Sequence, residues 1–275
     1  MTREEKIKLG LEDHYNEALL DFSEDRIVGL FLQGSQNYLL DYEESDIDTK
    51  LIVVPTFKDI ALARKPVSTT HIRANDEHID YKDIRLYVET FYKQNLNFLE
   101  ILFTPYTIFN PLYEKEWMRL VEAREQIAHM NPWRAVKSMK GVALEKFHAM
   151  EHDYPSRRSV LAKYGYDGKQ VSHLLRIEDY LKRYINKESY ENCLIPTASI
   201  RQKLMDYKLC KISLEEARSE AARAINNIEN ISKIFLEKNE DKENSDMREL
   251  LEDVSYNIML IAVKEEIGQN NFIIP

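Results

Sequence analysis

Two aspartates stand two residues apart in Ser45-Asp46-Ile47-Asp48. On a strand, an i, i+2 pair points to one face with Cα atoms roughly 6–7 Å apart. Carboxylates placed side by side repel each other unless a cation sits between them. A hard divalent cation such as Mg²⁺ takes oxygen ligands, commonly one or two carboxylates completed by substrate phosphates. Twelve residues before Asp46 the chain reads Gly34-Ser35. A Gly-Ser turn lets the backbone approach a ligand closely, and if a helix follows, its first N–H groups can receive a phosphate. A phosphate cradle beside a carboxylate pair points to metal-assisted phosphoryl or nucleotidyl transfer.

These residues need rigid supports. Ile27-Val28-Gly29-Leu30-Phe31-Leu32 precedes the turn and Thr49-Lys50-Leu51-Ile52-Val53-Val54 follows the acids. Both are apolar and of strand type, which gives strand, turn, short helix, then a strand opening with two carboxylates. Upstream, residues 3–21 carry apolar side chains at helical spacing, and Ser23-Glu24-Asp25 breaks the pattern. Pro55 ends the second strand and Thr56 can cap a short helix through Ala63. Residues 69–73 and 77–81 read as strands joined by the turn cluster Ala74-Asn75-Asp76. Asp83 can cap the next helix. Residues 98–103 suit either strand or helix, and Pro105 closes them. Residues 1–110 therefore read as a sheet domain with flanking helices.

Beyond Asn110-Pro111 the pattern turns helical. Helices are predicted over 112–129, 133–151, 168–186, 198–208, 213–237 and 247–266. Ser213-Leu214-Glu215-Glu216 forms a capping-box pattern, and 238–246 is a polar connector. The expected class is α+β: a mixed sheet domain, 1–110, followed by a helical bundle, 111–275. A nucleotide cleft between them is expected, because ligands favour domain interfaces.

The 275 residues are 44% hydrophobic with a net charge of −9, which argues against non-specific coating of nucleic acid. Cys193 and Cys210 are the only cysteines, so a reducing compartment is expected rather than a disulfide framework. The charged start of the chain lacks the apolar core of a signal peptide, and no apolar run approaches the ~20 residues of a membrane span. A cytoplasmic protein with no membrane partner is expected.

A second cluster lies at 163–176. Asp167 can cap a helix, and Lys169, His173 and Arg176 then fall at i, i+4 and i+7 on one stripe. Such a stripe suits a triphosphate. A solvated helical face satisfies the same spacing and is its more usual fate.

Gly34-Ser35 followed by Asp46-Ile47-Asp48, with Tyr38 and Ser45 in place, resembles the signature of the DNA polymerase β-like nucleotidyltransferase superfamily. The resemblance implies a third carboxylate on a nearby strand, and Asp80 in His78-Ile79-Asp80-Tyr81 is the residue that fits. The run Tyr164-Gly165-Tyr166-Asp167, then Lys169, His173-Leu174 and Arg176, resembles the helical-half motif of a bacterial and phage branch of predicted nucleotidyltransferases. Residues 80–85, 97–102 and 138–141 have weaker counterparts there. The likeness spans about 25–185, and residues 190–275 match nothing named. Gly168 and Gln170 depart from the pattern, where Thr or Pro and often His are expected.

The resemblance implies that Asp46, Asp48 and Asp80 hold Mg²⁺ or Mn²⁺, with Asp80 nearest the attacking group and able to act as general base. It implies that Gly34, Ser35, Lys169, His173 and Arg176 bind a nucleoside triphosphate such as ATP. A nucleoside monophosphate would pass to an unidentified acceptor with release of pyrophosphate. The acidic balance favours a small molecule or protein acceptor over bulk nucleic acid. The alternative is a catalytically inactive nucleotide-binding regulatory or antitoxin-like protein of the same fold.

Overall fold

The computed structural model describes residues 1–269. It has an N-terminal five-stranded mixed sheet with helices, followed by a helical region. Helix α1 (Arg3–Asp21) starts at Thr2, whose side chain accepts from Glu5 N–H while Glu5 reaches back to the Thr2 backbone. Strand β1 (Ile27–Gln33) runs to the Gly34 turn, and β2 (Asp48–Val53) returns antiparallel to it. Helix α2 (Phe57–Ala61) starts at the Thr56 cap. The hairpin β3 (Ser68–Ile72) and β4 (His78–Asp83) follows. The residues that suited strand or helix form α4 (Leu96–Leu99) and a 3-10 turn, after α3 (Tyr87–Tyr92). A short edge strand, β5 (Thr107–Phe109), completes the order β3-β4-β2-β1-β5.

Among these pairings only β2–β4 is parallel. Its register sets Thr49 level with Ile79 and Lys50 level with Asp80. Strand alternation then sorts the side chains. Leu30, Leu32, Leu51, Val53, Ile79 and Tyr81 pack with Ile7, Leu11 and Ala18 of α1. Gln33, Asp48, Lys50, His78, Asp80 and Lys82 share the opposite face. That face is also the one with Phe31, which packs 4.9 Å from Trp117 of α5 (Pro111–Glu122).

The chain divides into two compact units. The first comprises 1–37, 41–130 and the chain from 243 onward, and so holds the sheet, α1 to α5, α6 (Arg124–Ala128) and α13 (Ser245–Gln269). The second comprises 38–40 and 131–242. Its helices are α7 (Pro132–Ala149), α8 (Arg158–Tyr164), α9 (Gly168–Ile185), α10 (Tyr190–Leu194), α11 (Ala198–Lys208) and α12 (Leu214–Lys238). Helix α9 is its centre and packs on α7, α10, α11 and α12. Among the described residues no helix is long and apolar enough to cross a membrane.

Gly168, the departure noted in the sequence, has a packing cause. A Cβ there would lie 2.1 Å from the Tyr207 carbonyl oxygen and 2.8 Å from Cys210 Sγ. The backbone of α11's last turn occupies the space a side chain would need. Gly168→Ala should therefore destabilise the protein by about 1–3 kcal/mol or more, as overpacking against backbone does. Denaturant unfolding of the full chain checks this, and Gly141→Ala, where a Cβ meets nothing within 4 Å, should cost nothing.

Candidate active site

Gly34 ends β1 with φ at 92°, a left-handed conformation that a side chain would strain. A Cβ built there would lie 4.0 Å from Asp48 Oδ2, so the turn and this carboxylate face each other. Ser35 then opens a single 3-10 turn, Ser35–Tyr38. One turn has too few aligned peptides for the dipole of a true helix N-terminus. The Gly34 N–H donates to the buried carboxylate of Glu100 at 3.2 Å. The short helix expected to offer its N–H groups to phosphate is thus smaller than anticipated.

Strand β2 opens at Asp48, leaving Asp46 in the loop before it. The reason is where the backbone groups go. Asp46 C=O accepts from Gln36 Nε2, and Ile47 N–H donates to Glu77 Oε1 at 3.1 Å. Both are drawn away from the ladder. The alternation nevertheless persists: Ser45 and Ile47 are buried, Asp46 is exposed and Asp48 is half-buried. Gln36 also lies beside the Gly34 turn, its Oε1 4.0 Å from the same built Cβ. Turn and acidic loop are therefore tied together directly.

Asp80 shares the sheet face with Asp48 but has partners of its own. Lys50 Nζ donates to its Oδ2 at 3.0 Å and Thr70 Oγ1 to its Oδ1 at 2.5 Å. Burial works against its charge, yet the Lys50 ammonium and these hydrogen bonds outweigh it and hold the carboxyl below the usual range. Burial pushes the neighbouring Lys82 ammonium down, with Lys50's charge adding to it. Lys50 is itself buried, its Nζ 4.8 Å over the Phe98 ring. Asp48 Oδ1 accepts from His78 N–H at 3.1 Å and lies 3.3 Å from His78 Nδ1. Among the described residues no three His, Cys, Asp or Glu side chains stand close enough together to hold an ion. Asp46 and Asp48, outward-facing beside a turn, suit a hard cation whose shell is completed by substrate oxygens.

The second unit holds the cationic stripe. Asp167 caps α9 by accepting from Lys169 N–H at 2.9 Å, and Arg157 pairs with its other oxygen. Along the stripe Lys169 is exposed, His173 half-buried and Arg176 buried at 4%. It is not a solvated face. The Arg176 guanidinium lies 3.7 Å over the Tyr38 ring, and its Nε and Nη1 have no hydrogen-bond partner among the described residues. Burial, then the charges of Arg176, Lys169, Lys146 and Lys208, push the His173 imidazole well below its ordinary pKa. Of these four cations Arg176 is the costly one, a buried charge with two nitrogens unpartnered, whereas Lys146 pairs with Glu145 and Lys169 is exposed. Lys146 and Lys208 were missed in the sequence because they stand on α7 and α11, where no spacing links them to α9. Lys50 and Glu100 were missed because each reads locally as a core-element residue.

No protein-family model matches the chain, and no curated protein matches it. Among solved structures it is similar to a nucleotidyltransferase-like protein from Exiguobacterium sibiricum, with 11% identity over 82% of this chain and 74% of that one and a TM-score of 0.30. At that TM-score the likeness carries no argument, and the chemistry rests on this chain's own residues.

The Lys50–Asp80 pair makes a titration prediction. A carboxyl held below its ordinary pKa contributes stability that is present above the ordinary aspartate range and lost as pH falls through the folded value. Lys50→Met removes the ammonium that holds it there. The Asp80 carboxyl pKa should rise, read by carboxyl-carbon NMR titration, and that portion of the acid-limb pH dependence should vanish from the unfolding free energy.

Proposed function

We propose that the chain is a Mg²⁺-dependent nucleotidyltransferase of the polymerase β-like kind, moving a nucleoside monophosphate from a nucleoside triphosphate to an acceptor. The observation that carries the reading is the shared face: Asp48 faces the Gly34 turn, and the parallel register of β2 and β4 sets Asp80 on the same side of the sheet. Asp46 and Asp48 would hold the cation, and Asp80, paired with Lys50, would join them if that pair opens. When bound, the ion neutralises charge on the phosphates and on the departing pyrophosphate. The acceptor oxygen forms a bond to the α-phosphorus, the bond to pyrophosphate breaks, and pyrophosphate leaves with that electron pair. Gly34 and Ser35 position the phosphates beside the acids. Asp80, kept ionised by Lys50 and Thr70, can receive the acceptor's proton once Lys50 turns to the phosphates.

Arg176 supports the same reading from the second unit. A buried guanidinium with two unpartnered nitrogens is the donor set that a phosphate satisfies, and Lys169 and His173 extend it. The acceptor is proposed to be a small molecule or a protein hydroxyl, in keeping with the net charge of −9.

One observation favours the alternative, a nucleotide-binding regulatory or antitoxin-like protein without turnover. Asp80 and the Gly34 N–H are both satisfied from within the chain, by Lys50 and Thr70 and by Glu100.

Radiolabelled ATP, GTP, CTP and UTP, offered with candidate acceptors and Mg²⁺, separate the two: pyrophosphate release with labelled product supports transfer, while binding without product supports the alternative. Asp48→Ala and Asp46→Ala should each lower transfer on the order of 100-fold or more, a few kcal/mol of transition-state stabilisation. Arg176→Gln should weaken triphosphate binding about tenfold or more by calorimetry, the worth of a charge-assisted hydrogen bond. Native behaviour in all three variants would remove the proposal.

A further inference from the structure

Glu77 lies just before β4, after a turn in which Asp76 takes φ of 64°. Its carboxylate reaches beneath the acidic loop. Oε1 accepts from Ile47 N–H at 3.1 Å, and Ile47 is the residue between Asp46 and Asp48. Oε2 accepts from Arg73 Nη1 at 2.8 Å and meets His14 Nε2 at 3.1 Å. His14 is fully buried on α1, and its Nδ1 lies 2.8 Å from Thr49 Oγ1. These partners select one tautomer: Nε2–H donates to Glu77, and Nδ1 accepts the Thr49 hydroxyl. Burial, with Arg73's charge adding to it, keeps the His14 imidazole neutral, as that tautomer requires. Residues 47 and 49 are thus gripped from the α1 side of the sheet. Asp48 is gripped from the other side by the next residue in sequence, His78, through its N–H.

We infer that Glu77 is a positioning residue that fixes the spacing and outward direction of Asp46 and Asp48 through the Ile47 N–H. The inference rests on the nucleotidyl-transfer reading. Its physical basis is that Ile47 is 2% exposed and precedes the first residue of β2, so its N–H finds neither water nor ladder. Without Glu77 that donor is orphaned, and mutual repulsion of the two carboxylates acts on a loop that has lost its tether between them, with Gln36 and His78 holding only its flanks. A misplacement of about 1 Å at reacting groups costs on the order of 100-fold in rate.

The test uses the full chain as Glu77→Ala, Glu77→Gln and Glu77→Asp, with Glu17→Ala as control. Glu17 binds the outer side of the same network, through Arg73 and His71. In Glu77→Ala, kcat should fall about 100-fold while KM for the triphosphate stays within about twofold. The Mg²⁺ concentration for half-maximal rate should rise about tenfold. Glu77→Gln keeps an oxygen for Ile47 N–H but sets its NH2 against the Arg73 and His14 donors, so it should recover part of the loss, and Glu17→Ala should match the native chain. Two readouts need no turnover: Mn²⁺ affinity by electron paramagnetic resonance should weaken about tenfold in Glu77→Ala, and amide exchange at Ile47 should accelerate while β1 stays protected. Should Glu77→Ala fail to fold, Glu77→Asp decides: it keeps a charge for Arg73 but is one methylene short of Ile47. Native kcat, Mn²⁺ affinity and Ile47 exchange in the folded variant would overturn the inference, as would equal losses in Glu17→Ala. A native chain that transfers no nucleotide would overturn the function reading, and the Mn²⁺ and exchange results would then judge Glu77 alone.

Discussion

The parallel pairing of β2 with β4 is the constraint on which the charged face depends. It is a non-local contact, made after the chain has passed through α2 and β3. Its register sets Lys50 level with Asp80, and alternation then places Asp48, Lys50, His78, Asp80 and Lys82 on one side and the α1-facing core on the other. A slip of one residue in β4 would send Asp80 into the core and Ile79 and Tyr81 out of it. Burial of Ile79 at 0% and Tyr81 at 3% makes that slip prohibitively unfavourable. The apolar side of the sheet thus enforces the order of the polar side.

That polar side is arranged as paired opposites. Asp80 has Lys50, Asp48 has His78, and the Gly34 N–H has Glu100. Each pairing keeps a partly buried charge or donor from standing alone. The second unit differs. Its cations around His173 have no matching carboxylate at the Arg176 nitrogens. On the sheet face the buried charges meet partners from within the chain, whereas two nitrogens of the buried Arg176 do not.

Much of the fold was legible because its signals are local. Thr56, Asp83, Asp167 and Ser213 each cap where their side chains suggested, and the helices they start follow the apolar periodicity. The strand, Gly turn, strand sequence was equally plain. Strand β5 was not, since three half-buried residues carry no period. Nor was the break at Ala123, which splits a predicted single helix into α5 and α6 without Pro or Gly. In the candidate site, the approach of Asp48 to Gly34 could be read, because a short loop joins them. The Lys50–Asp80 pair could not, because parallel register is decided by packing far from either residue. Glu77 and His14 were hidden for the same reason: each is thirty or more residues from the loop it holds.

Gly168 has an electrostatic side as well as a steric one. The missing methyl lets the first turn of α9 settle against the Tyr207 carbonyl. The next residue on α9 is Lys169 and the next on α11 is Lys208, two of the cations acting on His173. The backbones that carry two of those like charges are therefore held together by a contact that neither lysine makes. A bulkier residue at 168 would push α9 and α11 apart at this point without touching either charged group.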